Sequence, residues 1–581
     1  MGLQKMRSIS VKLSVLIILI ISIIVVPVQA SAAALPSSGA STNNYEKAID
    51  LKVLGLFANK PDNFELDRAA TRAEGAVMLV RLLGMEYQVK QAHFTHPFTD
   101  VPAWADNYVG YIYQNGIANG ISDSLFGSSN LVSAAQYITF VLRSMGYEDN
   151  VDFTYAKALD KALELRLINA AESARLKGSS RFLRNDMVAV SHNALKVKMK
   201  GSSQTLVEKL VDNDKAIFKP AAQLLGLYPS DLKRYYGNVE SYNPSSTKNG
   251  LVIKNRTELT KLVTKTLVNF DTIVNINTSD YNGSIVDEFE SVFDTAKVAA
   301  EEIVSIDGFV QKWSYACDSR QMKLEFTYRY DKKEYENRRS KVNAALNKAR
   351  HIVAENISMD MTEFDKEKIL HDYIVNNTRY DYGNFSNDTL SEDAFEEYGS
   401  LLSGYAVCEG YAETMKLLCD LSGIECIIAT GTRAVDGIVQ GHAWNIVKIE
   451  NEYYHVDCTN DDPVTKDGSQ ILTYCYFNLT DEEMMKAASW DRSLYPVCAS
   501  TKNSYYHKYN KVADCREAFD RALAQELEKR SSVIELKVTD YSKSAYSNIS
   551  ELIFSTKSVL KYYYTVNDDF GIIRIFNIKY S

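Results

Sequence analysis

Between Tyr398 and Asp457 the sequence permits few local architectures. Glycines at positions 399, 404 and 410 punctuate the approach to Cys408, and Ala412, Met415, Leu418 and Cys419 then recur at the spacing of one helix face. Gly423 stands where that helix must stop. The run 425–431 (ECIIATG) reads as a buried strand and 432–441 (TRAVDGIVQG) as a loop. Residues 442–449 and 453–457 read as two strands joined by a tight polar turn at 450–452. The segment therefore presents a thiol at a loop-to-helix junction, with an imidazole and a carboxylate on neighbouring strands.

That placement has chemical content. A thiol at a helix N-terminus faces the positive end of the peptide dipoles, which favours the nucleophilic thiolate. Side chains alternate along strands, so His442, Trp444 and Ile446 share a face, as do Tyr453, His455 and Asp457. His442 and Asp457 fall on the same side if the hairpin pairs even positions with odd ones, a register the sequence leaves open. Asp457 could then hold the imidazole in one tautomer while the other nitrogen faces Cys408. Asp461 and Asp462 are rivals for the acid. His371 and His455 read as structural, Cys419, Cys426 and Cys458 as core, and Trp444 as packing against the catalytic loop.

Three stretches, AVCEGYAETMKLLCDLSGIEC, GHAWNIV and YYHVDCTNDDP, resemble the transglutaminase-like superfamily, a branch of the papain-like cysteine enzymes, over residues 360 to 500. The resemblance implies Cys408 as nucleophile, His442 as base and Asp457 as orienting acid. Asn460 departs from the family, which commonly has an aromatic there. The Cys408 backbone N–H is the first candidate oxyanion donor and Tyr380 the second.

The chain opens on Lys5, Arg7 and Lys12, an apolar run at 13–26, and small-residue cleavage patterns at Val28-Gln29-Ala30 or Ala30-Ser31-Ala32. Residues 1–30 are expected to be a signal peptide, with an uncleaved anchor as the other reading. Residues 31–44 read as a linker and 45–200 as helical and weakly repetitive. The first unit carries Thr71-Arg72-Ala73-Glu74 before an apolar helix. The second opens on Phe98-Thr99-Asp100-Val101-Pro102-Ala103-Trp104-Ala105, turns at Gly116-Ile117 and Gly120, and reaches Ser133-Ala134-Ala135-Gln136. A third, decayed unit passes through Leu183-Arg184-Asn185-Asp186. Thr71 and Glu74 suit a capping box.

These motifs resemble S-layer homology repeats. The resemblance implies three repeats in one helical trefoil that binds secondary wall polysaccharide on a Gram-positive surface. Arg72, Asp100, Trp104 and Arg184 are the candidate polymer contacts, since a guanidinium grips carboxylate or phosphate in bidentate fashion and an indole can stack on a sugar. Ala134 stands where the repeat family has Arg, so the second groove is expected to be dead.

The remaining segments fill out a multidomain α+β chain. A helical linker spans 201–250, a small α/β module 251–335, the papain-like, transglutaminase-like α+β domain 336–500, and a C-terminal helix with a second α/β module 501–581. Within the first module a helix is expected at 257–267, a strand at 273–278, a helix at 285–304 and the alternating strand MKLEFTYRY. The last 50 residues look like a degenerate copy, VIELKVTDYSKS paralleling TIVNINTSDYNGS. A net charge of −9 argues against a nucleic-acid binder. No C-x-x-C pair occurs among the eight cysteines, and no metal or cofactor is expected. Removing one catalytic thiol leaves an odd number, which suits a disulfide framework poorly. The function expected is thiol-mediated acyl transfer at the cell surface on a protein or peptide substrate, with no membrane span once the signal is cleaved. The alternatives are a cysteine peptidase or amidase acting on wall or surface peptides, and a non-enzymatic surface scaffold.

Overall fold

The computed structural model describes residues 43–581, apart from 59, 180, 230–241, 305–307, 436, 464–470, 547 and 556–557. The expected leader and the linker up to residue 42 lie outside the described residues; Asn43 and Asn44, read as linker, open the first helix, α1 (Asn43–Val53). Among the described residues no helix is long and apolar enough to cross a membrane.

Three helices organise the N-terminal part: α2 (Arg72–Leu82), α3 (Ala134–Ser144) and α4 (Arg184–Ala194). The first two open on full capping boxes, Thr71 with Glu74 and Ser133 with Gln136. At α4 Asp186 takes the Leu183 N–H at 2.9 Å. Their entries are stitched together by backbone. Arg72 N–H donates to the Asn130 carbonyl at 2.8 Å, Val132 N–H to Ala70 at 3.0 Å, and Arg184 N–H to Arg68 at 2.9 Å. The Tyr137 and Ser191 hydroxyls meet at 2.7 Å inside the bundle.

This core does not stop at residue 200. A further capping box at Thr205 and Glu208 starts a turn whose Leu206, Val207, Leu210 and Val211 are buried with it, and the same core takes in Tyr228. The stretch read as a helical linker is thus packed structure up to that point. Ala354, from α7 (Lys332–Asn356), is buried in the same core. Beside it Arg350 pairs with Asp50 of α1 at 2.6 Å, and His351 meets Glu46 at 3.2 Å.

Two small sheets follow one plan. The first has β1 (Ser246–Thr247), β2 (Gly250–Val252), β3 (Ile273–Asn277), β4 (Val310–Cys317) and β5 (Gln321–Tyr328) in the order β1-β2-β3-β5-β4. It begins before residue 251, ahead of the boundary read from composition. The helices α5 (Arg256–Val268) and α6 (Ile285–Val304) cross between its strands. The second has β12 (Val512–Ala513), β13 (Ile534–Val538), β14 (Val559–Asn567) and β15 (Ile572–Tyr580) in the order β12-β13-β15-β14. Each joins one parallel pair to antiparallel neighbours.

Between them lies the segment that carries the site. Helix α8 (Glu363–Asn377) leads to β6 (Arg379–Tyr380), β7 (Tyr405–Ala406) and helix α9 (Cys408–Ser422). Helix α9 packs against a four-stranded antiparallel sheet ordered β11-β10-β9-β8. Its strands are β8 (Cys426–Val435), β9 (Ile438–Ile449), β10 (Glu452–Val456) and β11 (Phe477–Leu479). Ala412, Met415, Leu418 and Cys419 form the buried face of α9, which ends at Gly423 with φ 81°. Glu450 and Asn451, both at positive φ, make the β9–β10 turn.

The stretch 432–441, expected to be a loop, is the far end of the β8–β9 hairpin, with Arg433 opposite Gln440 and Ala434 opposite Val439. Its composition is too mixed to announce a strand. The Asp-Gly dipeptide at 436–437 is a hairpin signal in the sequence.

Gly410 shows how tightly the nucleophile helix is seated. A Cβ there would lie 2.6 Å from the Ala394 carbonyl oxygen and 3.0 Å from that of Glu396. Backbone cannot yield as a flexible side chain can, so Gly410→Ala should cost about 1–3 kcal/mol. Urea unfolding monitored by far-UV circular dichroism measures this; an unchanged midpoint would mean that the 394–396 turn moves freely.

Candidate active site

Cys408 is the first residue of α9, so its sulfur sits at the positive end of the helix. Local devices hold it there. The turn Gly399–Ser403 ends at Gly404, whose φ of 73° reverses the chain. β6 and β7 then pair in parallel, Arg379 with Tyr405 and Tyr380 with Ala406. The Val407 N–H donates to the Ala394 carbonyl at 2.8 Å. Cys408 itself is half-buried.

His442 lies on β9 and Asp457 just past β10. The hairpin pairs Glu452 with Ile449 and Val456 with Asn445, so even positions oppose odd ones. Under this register the two side chains share a face, and His442 Nε2 lies 2.6 Å from Asp457 Oδ2. Both are buried. Burial alone would push the imidazole pKa down. The Asp457 charge and hydrogen bond, and then the Cys408 side chain against the same ring, outweigh it and raise the pKa to about 10. With Nε2 held by Asp457, Nδ1 is the nitrogen left for the sulfur.

Two residues that sequence reasoning did not assign complete the arrangement. The Asn460 backbone N–H donates to Asp457 Oδ1 at 3.1 Å and its Nδ2 to Oδ2 at 2.5 Å. Arg433, from the part of β8 expected to be a loop, donates to Asn460 Oδ1. In the sequence Asn460 stands out only as a departure from the family, and its position three residues after the acid is the signal for this contact.

The rival groups have other partners. Asp461 is buried against His371 Nε2 at 3.1 Å, and Asp462 accepts from the Tyr411 hydroxyl at 2.6 Å. His455 takes the Trp444 indole N–H on Nδ1 at 2.9 Å and meets Asp481 through Nε2 at 2.9 Å. One ligand-type atom each from His455, Asp481 and Cys498 lies within 4.8 Å of the others. Both ring nitrogens are already hydrogen-bonded, and Arg492 pairs with Asp481 at 2.7 Å, so this is a buried polar network that supports Trp444. Trp444 in turn stacks on His442 with ring centres 5.7 Å apart.

The residues expected to touch a wall polymer lie far from this cleft in sequence. Arg72, Ala134 and Arg184 are the first residues of α2, α3 and α4. The Arg72 guanidinium is buried between the Phe126 and Phe140 rings, 4.7 and 4.9 Å from their centres. Its Nη2 donates to the Asn119 carbonyl at 2.6 Å, and its Nε has no hydrogen-bond partner among the described residues. Arg184 Nε donates to the Phe64 carbonyl at 3.0 Å. Trp104 is 56% exposed. Asp100 accepts backbone N–H groups from Phe126, Gly127 and Ser128 at 2.7, 2.7 and 2.9 Å, so both its oxygens already serve that loop.

Residues 350–458 match the transglutaminase-like superfamily, and residues 97–138 match the S-layer homology domain. The chain carries a transglutaminase-like core. Cys408, His442 and Asp457 fall inside its matched span; Asp100 and Trp104 fall inside the S-layer homology match, Arg72 and Arg184 outside it. The chain is similar to the middle cell wall protein of Brevibacillus brevis, 29% identical over 175 residues, covering 29% of this chain and 16% of that one. It is also similar to a surface layer protein of Brevibacillus choshinensis, 30% identical over 159 residues, covering 26% and 14%. The chain thus spans less than a fifth of either relative. A crystal structure of a TGase aligns at 15% identity over 33% of this chain and 52% of that one, with a TM-score of 0.19, too low to carry an argument.

The transglutaminase-like core gives a direct pH test. In Asp457→Asn the imidazole loses the charge that raises its pKa, and burial prevails. Alkylation of Cys408 by iodoacetamide at pH 6 should slow at least about tenfold, because the imidazolium beside the sulfur is lost. An unchanged rate would mean that Asp457 does not govern the ring.

Proposed function

We propose that this chain is a cell-surface thiol enzyme that transfers acyl groups through Cys408, His442 and Asp457. The observation that carries the reading is the 2.6 Å contact between His442 and Asp457, with Cys408 against the same imidazole at a helix N-terminus. A thiolate facing an imidazolium attacks a carboxamide carbon. The resulting tetrahedral oxyanion lies within reach of the Cys408 backbone N–H. Collapse breaks the C–N bond, His442 gives its proton to the departing ammonia or amine, and a thioester remains. A primary amine that attacks the thioester yields a new amide and returns the sulfur; His442 takes the amine's proton. Water in place of the amine yields the acid, which is the peptidase or amidase outcome of the same site.

The S-layer homology match and the relatives named for cell wall and surface layer support a place at the bacterial surface. Wall polysaccharide is the proposed partner there. Arg72 is the proposed anchor contact, because among the described residues its buried Nε has no acceptor. Arg184 and the exposed Trp104 are proposed beside it, whereas Asp100 contributes by shaping the loop.

Incubation with a glutamine peptide and a fluorescent primary amine separates the outcomes. Amine incorporation that is lost in Cys408→Ala supports acyl transfer; ammonia release without incorporation supports hydrolysis; no thiol-dependent signal removes the enzyme reading. For the anchor, retention of the full chain on purified cell walls should fall about tenfold in Arg72→Ala, the size of one lost charge-assisted hydrogen bond. Undiminished retention would take Arg72 off the contact surface.

A further inference from the structure

We propose that the Tyr380 hydroxyl is the second hydrogen-bond donor to the oxyanion, opposite the Cys408 backbone N–H. This rests on the acyl-transfer reading and extends it to a residue outside the triad.

The placement follows from backbone. β6 and β7 are only two residues long, yet they pair in parallel with Tyr380 directly across from Ala406. The Arg379 N–H donates to the Gly404 carbonyl at 2.9 Å and the Asp381 N–H to Ala406 at 3.0 Å, which closes the ladder on both sides. Paired residues in a ladder project to the same face. Cys408 follows Ala406 by two residues, so the ladder brings the Tyr380 side chain alongside the nucleophile. Its ring is held edge-on to Phe385 at 6.0 Å, which limits the directions the hydroxyl can take.

The electrostatics agree with that position. Burial raises the Tyr380 pKa, and the next cause is the charge of Cys408; Arg433 opposes and Asp457 adds. The phenol therefore stays protonated, as a donor must, and lies among the groups that form the site. In the acylation step the hydroxyl keeps its proton. It donates a hydrogen bond to the carbonyl oxygen as that atom gains charge, and weakens the bond again when the thioester carbonyl re-forms.

The test compares two reactions of one sulfur. Burst acylation by p-nitrophenyl acetate builds an oxyanion; alkylation by iodoacetamide displaces iodide at a saturated carbon and builds none. In Tyr380→Phe, which keeps the ring and its contact with Phe385, acylation should fall about 10²–10³-fold while alkylation stays within about twofold. Replacement of Tyr380 by 3-fluorotyrosine, a stronger donor of nearly the same shape, should acylate faster than the wild type at neutral pH. Acylation at the wild-type rate in Tyr380→Phe would overturn the proposal. So would a parallel fall in both reactions, which would tie Tyr380 to the sulfur. A wild-type protein that is alkylated at Cys408 but never acylated would remove the acyl-transfer reading itself, a result distinct from failure of Tyr380 alone.

Discussion

The register of β10 against β9 is the constraint on which the site depends. A slip of one residue would turn Asp457 to the other face of the sheet and leave a buried imidazole with no carboxylate on Nε2. Burial would then hold that ring neutral. The register is fixed at one end by a two-residue turn with both members at positive φ, Glu450 and Asn451. At the other end Asp457 accepts from Asn460, and its own N–H donates to the Tyr476 carbonyl at 3.1 Å. The acid is therefore held by its neighbours in sequence as well as by the strand that precedes it.

Much of this was legible in the amino-acid order, and the limits follow from what order can encode. Helix α9 and its stop at Gly423 could be read because helix spacing and a left-handed terminal glycine are local properties. The β9–β10 turn was legible for the same reason. The register was not, because alternation reports which residues share a strand face and not which strand positions meet. Arg433 and Asn460 were missed because their contact joins a hairpin end to a turn 27 residues away. Strand β4 is weakly marked in the sequence because its alternation is confined to Trp313, Tyr315 and Cys317, and most of its positions are exposed.

Module boundaries proved harder still. The apolar spacing of Leu206, Val207, Leu210 and Val211 is the same helical signal as that of the preceding units, and it belongs to their core. Polar composition near residue 245 suggested a break, yet Ser246 and Thr247 form the edge of a sheet that continues into the next module. Composition reports local solubility, and a short edge strand is as polar as a linker.

The C-terminal half of helix α7 is shared between two cores. Its Ala345 and Ala349 are buried in the core that also holds Tyr411 and Met415 of the nucleophile helix, while Ala354 is buried with the N-terminal helices and Arg350 pairs with Asp50. A chain held at the wall through α2 would therefore carry its cleft as a bracket carries a fixture, at a set height and bearing, with no slack leash between them. Any turn of the helical core would then be felt at the nucleophile helix, because α7 is a wall of both.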